Sequence, residues 1–247
     1  MNAQMTKATV KPVDFHSHIL PGIDDGSKTV EMSLAMLKTM AEQGVGKVVA
    51  TPHFYADTET PDIFLARRSK AMGELKSALT DDRLPDIYLG AEVAYFPGIS
   101  HCKELSRLTI SGTKLVLIEM PFSRWPQSVI DELLLVKTSL GLSPIVAHIE
   151  RYINQKSDTL TYLAESGILL QSNASHFLTF GTRGRALTLL RRDLIHLLGS
   201  DAHNIDSRRP NLGDAVSYIT KKLGTSELDR LFKRADALLQ PVTASAS

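Results

Sequence analysis

The chain has 247 residues, 28 Lys+Arg against 27 Asp+Glu and 43% hydrophobic residues, long enough for a sizeable core and, at net charge +1, without the basic excess of most nucleic-acid binders. A single cysteine, Cys102, excludes an intrachain disulfide, and no apolar run approaches the ~20 residues that span a bilayer. The polar start has no apolar h-region, so the expectation is a cytoplasmic protein that is not membrane-embedded and binds no nucleic acid.

Residues 1–12 read as a flexible extension, 13–240 as one domain and 241–247 as a flexible tail. Within the domain, short apolar runs alternate with amphipathic stretches. Val13–Ile19 is the first predicted strand and ends in Asp14-Phe15-His16-Ser17-His18. Val30, Leu34, Leu37 and Ala41 then share one helical face, with Gly44 as C-cap. The second strand, Lys47–Thr51, closes in Thr51-Pro52-His53, and a helix begins at Pro61, carrying Ile63, Leu65, Met72, Leu75 and Leu79. The third, Asp86–Val93, brings Glu92, and Cys102 follows in a short helical insertion. The fourth, Lys114–Met120, brings Glu119 ahead of a helix over Gln127–Leu140. The fifth, Ser143–Ile149, brings His148 ahead of a helix over Ser157–Glu165. The sixth, Ile168–Ser172, precedes a helix over Arg183–Arg192. The seventh, Leu194–Ser200, runs into Asp201 and His203, and helices over Asn211–Leu223 and Ser226–Leu239 close the domain.

Strands alternating with helices make a parallel sheet, either open and doubly wound or closed into a barrel. No G-x-G-x-x-G or P-loop follows any strand, which disfavours the nucleotide-binding sheets. In parallel α/β folds ligands bind at the carboxyl ends of the strands. All but the sixth predicted strand deliver a His or a carboxylate to that rim, and five of the eight histidines fall there. One strand-end histidine is ordinarily just a hydrogen-bonded residue. The joint pattern points to a metal site, and His16 and His18, two apart on a strand, can grip one ion together.

At these residues the sequence resembles the polymerase-and-histidinol-phosphatase (PHP) superfamily of metal-dependent phosphoesterases: the D-x-H-x-H opening, then His53 of TPH, Glu92 of GAE, His148 of AHIER, and Asp201 and His203 of SDAH. The stretches His16-Ser17-His18-Ile19-Leu20-Pro21-Gly22-Ile23-Asp24-Asp25-Gly26-Ser27 and His148-Ile149-Glu150-Arg151-Tyr152 are most similar to the bacterial manganese-dependent tyrosine-protein phosphatases of capsular and extracellular polysaccharide operons. The resemblance implies a distorted (β/α)7 barrel with three divalent ions at the strand C-termini. Carried over by motif, His16, His18, Glu92 and Asp201 would hold one ion. Glu92 would share a second with Glu119 and His148, and Asp25, His53 and His203 would hold the third. Asp24 competes with Asp25, which is preferred by motif position alone. The family implies manganese, although imidazole and carboxylate donors also admit iron, zinc or cobalt. The implied partner and substrate is a phosphotyrosine-bearing bacterial tyrosine kinase that regulates polysaccharide synthesis and export.

Four carboxylates against three dications leave a net positive centre suited to an anionic substrate. Arg151 and Arg208 follow His148 and His203 closely in sequence and offer planar forks for phosphate oxygens. The expected chemistry is in-line attack on phosphorus by a metal-activated hydroxide, with Asp14 orienting a ligand histidine. A cysteine-dependent phosphatase would need C-x5-R, but the position six past Cys102 is Leu108. The alternatives are a phosphatase of a small phosphomonoester of the histidinol phosphate type, an amidohydrolase-like enzyme, and a non-catalytic scaffold of the same fold. His101, His176 and His196 lie outside the motifs and read as structural or surface residues.

Overall fold

The structure, a computed structural model, describes residues 10–241 apart from 153 and 157; residues 1–9 of the expected extension over 1–12 and residues 242–247 of the expected tail over 241–247 lie outside the described residues. In chain order the elements are β1 (Val13–Ser17), α1 (Val30–Glu42), β2 (Lys47–Ala50), β3 (His53–Phe54), α2 (Pro61–Ala78), β4 (Asp86–Leu89), β5 (Glu92–Ala94), β6 (Leu115–Glu119), α3 (Gln127–Leu140), β7 (Ser143–Val146), α4 (Thr159–Glu165), β8 (Leu169–Asn173), α5 (Ser175–Leu178), α6 (Arg183–Arg191), β9 (Leu197–Gly199), α7 (Leu212–Leu223) and α8 (Ser226–Leu238).

Every strand pairing between these elements is parallel. One sheet runs β1-β2-β4 and the other β3-β5-β6-β7-β8-β9. β2 is the second predicted strand, and β3 resumes it past Pro52, beyond the predicted end at Thr51; β4 and β5 are two halves of the third. The breaks fall at Thr51-Pro52, where proline has no N–H to give the ladder, and at Gly90-Ala91. With the halves counted together the sheet is the distorted seven-stranded barrel expected from the resemblance. Its ends meet at a seam held by one bridge, Ser17 to Ala202. There the His18 amide donates to the Ala202 carbonyl at 2.8 Å and the Asp201 amide to the His16 carbonyl at 2.8 Å.

Alternate strand residues fill the barrel: Val13, Phe15, Val49, Leu115, Leu117, Ile145 and Leu197 form one buried cluster, joined by Ala235 and Leu239 at the end of the chain's last helix. The opposite faces, among them Val48, Ala50, Val116, Ile118, Val146 and Leu198, pack against the helices in the larger cluster with Met36, Leu37, Leu75 and Leu133. This is a packed lumen, not a pore. In β1 the pairing goes from Asp14 opposite Val48 to Ser17 opposite Ala50. One extra residue therefore enters β1, a bulge that re-aims the side chains beyond it. Without it, strict alternation would put His16 on the face opposite Phe15.

Candidate metal centre

Glu92, 1% exposed at the start of β5, is the hub. Its Oε2 lies 3.1 Å from His16 Nε2, 3.3 Å from His18 Nε2 and 3.0 Å from His53 Nδ1, and its Oε1 lies 2.9 Å from His148 Nε2. His16 and His18 also approach Asp201 Oδ1, at 3.6 and 3.5 Å. His148 Nε2 lies 3.2 Å from Glu119 Oε1. Asp25 Oδ1 lies 3.4 Å from His53 Nε2 and 3.3 Å from His203 Nε2. All nine side chains singled out in the sequence as ligands are thus brought to one rim. Three donor groups recur within it: His18, Asp25, His53 and His203; His16, His18 and Glu92; His53, Glu92 and Glu119.

The chain folds to this rim by local devices. The loop after β1 closes on itself, with the Ser27 amide donating to the His18 carbonyl at 2.9 Å and the Gly22 amide to the Ser27 carbonyl at 2.8 Å. Gly26 is pressed so close to His18 that a Cβ there would lie 2.3 Å from the His18 carbonyl oxygen. The loop folds Asp24 inward: its Oδ2 lies 2.7 Å from His18 Nδ1 and accepts from the His53 amide at 3.1 Å. Asp25, 60% exposed, is left facing His53 and His203. Two rim residues have left-handed backbones that side chains other than glycine seldom adopt, His148 at φ 33° and Asp201 at φ 54°.

The electrostatics are those of a cluster built around positive charge. Burial would raise the Glu92 carboxyl, yet the imidazoles around it hold it well below the usual carboxylate range. Burial works against protonation of His18, but Asp24 and Glu92 outweigh it and push the imidazole up to about 10. His148 is likewise pushed up to about 9 by Glu119 and Glu92 against the effect of burial. Burial and the neighbouring His18 push His203 down to about 4. Glu92 Oε2, His53 Nδ1 and His203 Nε2 are buried without a hydrogen-bond partner among the described residues, although charged neighbours lie 3.0 and 3.3 Å away. His16 Nε2 and His18 Nε2 face each other at 3.1 Å. Donor atoms aimed at shared points between them, not at one another, have this geometry, and mixed imidazole and carboxylate donors fit divalent metal.

Arg151, on a short turn after β7, donates to Asp201 Oδ2 at 2.9 Å and lies 3.5 Å from Glu119 Oε1. Arg208 donates to Asp201 Oδ1 at 2.9 Å and lies 3.6 Å from Asp25 Oδ2. Both heads are partly exposed at the mouth.

Asp14 departs from expectation. Its Oδ1 accepts from the backbone amides of His16 at 3.2 Å and Ser200 at 2.8 Å, so it braces the seam and not an imidazole ring. The positions that sequence reasoning missed are amides on β8. Gln171 Oε1 accepts from the His148 amide at 2.7 Å and sits 3.3 Å from His16 Nδ1. Asn173 Nδ2 donates to Asp201 at 3.0 Å, and Gln171 Nε2 donates to Asn173 Oδ1 at 2.9 Å. Their signal was available: they end the one strand that offered the rim no histidine or carboxylate. Cys102, between two short 3-10 turns, is not in the cluster. His101, His176 and His196 also lie outside it; His176 Nδ1 meets Ser172 Oγ at 2.9 Å and His196 Nδ1 accepts from the Leu170 amide at 2.9 Å.

A family model described as capsular polysaccharide synthesis, CpsB/CapC, matches residues 12–240. The chain is 32% identical to the tyrosine-protein phosphatase CpsB of Streptococcus pneumoniae over 89% of this chain and 94% of that protein. It superposes with TM-score 0.79 and 26% identity on a solved structure from a study of YwqE of Bacillus subtilis and CpsB of Streptococcus pneumoniae, described as unique metal-dependent tyrosine phosphatases, covering 92% of this chain and 94% of that one. The histidinol phosphate phosphatase of Lactococcus lactis, solved with zinc, L-histidinol and phosphate, shares the fold at TM-score 0.57 and 15% identity, over 87% of this chain and 95% of that one.

Proposed function

The chain belongs to the CpsB/CapC family of capsular polysaccharide synthesis, and from that membership we infer that it is a metal-dependent tyrosine-protein phosphatase, a phosphoric monoester hydrolase of capsule synthesis. The observation that carries the reading is the convergence of four imidazoles on the two oxygens of Glu92, with further carboxylates around them.

His16, His18, Glu92 and Asp201 serve one ion, Glu92, Glu119 and His148 a second, and Asp25, His53 and His203 a third. The close approaches of His53 and His203 to Asp25 support that grouping, and Asp24, engaged with His18, acts as its positioning partner. Manganese is the metal. When bound, it supplies Lewis acidity and a water nucleophile acidified toward neutral pH. The chain's own residues do the rest. Arg151 and Arg208 exchange their contacts with Asp201 for the phosphoryl oxygens and offset charge that grows on them in the transition state. Gln171 and Asn173 hold His148 and Asp201 in place as that charge moves. A tyrosine leaving group, of parent pKa about 10, departs without a strong general acid. The substrate is phosphotyrosine on a bacterial tyrosine kinase of the same polysaccharide system, and the site of action is the cytoplasm; among the described residues no helix is long and apolar enough to cross a membrane.

The test is to strip the protein of metal, reload it with Mn²⁺ and offer a phosphotyrosine peptide, histidinol phosphate and an amide substrate. The phosphotyrosine peptide is hydrolysed. His16→Ala loses bound metal and activity together, whereas Arg208→Ala keeps its metal and loses roughly 10²-fold in kcat/KM, the scale of one removed charge-stabilising donor. Hydrolysis of histidinol phosphate alone overturns the assignment, and full activity in His16→Ala overturns the site.

A further inference from the structure

Two exposed aromatic rings stand at the rim, and the metal chemistry uses neither. Tyr55, next after β3, is 40% exposed and stacks on the His53 ring, with 5.4 Å between centroids and 28° between planes. Phe122, three residues past Glu119, is 56% exposed and lies nearly parallel to the His148 ring, at 6.4 Å and 17°. The Arg151 guanidinium lies 6.0 Å from the Phe122 ring centre. His53 and His148 hold different oxygens of the same carboxylate, Oε2 and Oε1 of Glu92. Each aromatic ring thus packs on an imidazole that meets a different oxygen of the hub, and each leaves open surface beside the cluster.

Large apolar rings left exposed beside a polar site call for a partner with apolar faces. We propose that Tyr55 and Phe122 are the two walls of a subsite for the phenyl ring of the substrate, and so set the preference for aryl over alkyl phosphate esters. The inference rests on the phosphotyrosine reading. A phosphoryl group held at the hub and gripped by Arg151 and Arg208 carries its ester oxygen toward the mouth. An aryl group on that oxygen enters the space between the two rings and stacks offset or edge-on against them. A seryl or alkyl ester has no π-face to present and leaves both walls wet. Arg151, near the face of Phe122, ties the phosphate grip to one wall, so ring and phosphate are recognised together.

The experiment compares phenyl phosphate with propyl phosphate, and phenylphosphonate with propylphosphonate, on the Mn²⁺-loaded full chain. The variants are Phe122→Leu, Tyr55→Leu and Tyr55→Phe, with metal content measured for each. Each leucine variant lowers the aryl-to-alkyl ratio of kcat/KM roughly tenfold, the scale of a lost aromatic pair, and lowers the phenyl-to-propyl ratio of phosphonate affinity in calorimetry. Tyr55→Phe, which keeps the ring and removes the hydroxyl, restores the ratio lost in Tyr55→Leu. Ratios that stay at the wild-type value in both leucine variants overturn the proposal while leaving the phosphatase reading intact. A wild-type protein that hydrolyses neither ester defeats the phosphatase reading instead; phosphonate binding then still reads the walls, and equal affinities for the two phosphonates overturn them.

Discussion

Glu92 governs the centre because a buried carboxylate with imidazoles on both oxygens cannot change length or charge without disturbing every neighbour. Its surroundings leave little slack. Gly199, at the end of β9, is packed so that an added Cβ would lie 2.5 Å from His16 Cβ, 2.9 Å from the His16 amide nitrogen and 2.8 Å from Gln171 Nε2. The first two belong to backbone or its root and cannot swing aside, so Gly199→Ala displaces His16 and its brace. The expected result is loss of bound metal and at least a tenfold fall in phosphotyrosine hydrolysis with the fold retained; normal metal content by elemental analysis contradicts it. At this scale the sequence revealed the histidines and carboxylates, whose chemistry is unmistakable when they recur at strand ends. It was mute on Asp24 against Asp25, because two adjacent acids in one loop differ only in which way the chain turns. For Gln171 and Asn173 it left only a positional signal, the one strand end without a histidine or carboxylate, since neutral amides carry no chemical signature until their partners are seen.

The elements were legible because buried parallel strands are short apolar runs and the helices between them have one apolar face. What was hidden is interruption. The break at Gly90-Ala91 leaves the third apolar run intact in the sequence, so it read as one strand, and the second run was read only as far as Thr51, short of β3 beyond Pro52. The bulge in β1 is equally silent, yet it sends His16 and His18 to the site. Two helices begin at threonine caps, and Thr29 caps α1, its side-chain oxygen accepting from the Met32 amide at 3.2 Å. Removing that bond in Thr29→Ala costs about 1 kcal/mol of stability, measurable as a lower urea midpoint at constant m. Because α1 begins just past the loop that carries Asp24 and Asp25, the same variant reports whether helix stability and metal retention are separable; they separate if metal content holds while the midpoint falls.

For the whole molecule, acid is the condition that presses on the fold. His176 and His196 are both pushed from 6.5 down to about 4, chiefly by burial, with Arg185 and Arg234 adding to it. The unfolded chain takes up these protons below pH 6.5 and the folded chain refuses them until about 4. Their contribution to stability is therefore whole above the first value and is lost as pH falls toward the second. The Tm of a His176→Gln, His196→Asn double variant should fall less steeply with pH across that window than the wild-type Tm; parallel slopes would refute the assignment. A different vulnerability follows from the seam. Among the described residues the barrel is closed between β1 and β9 by an isolated bridge at Ser17 and Ala202, helped by the Ser200 amide on Asp14, yet His16 and His18 hang from one side of that join and Asp201 and His203 from the other. Cations held by donors from both sides would act as rivets across that join, so the ions that the proposed hydrolysis calls on would also keep the cylinder from springing open.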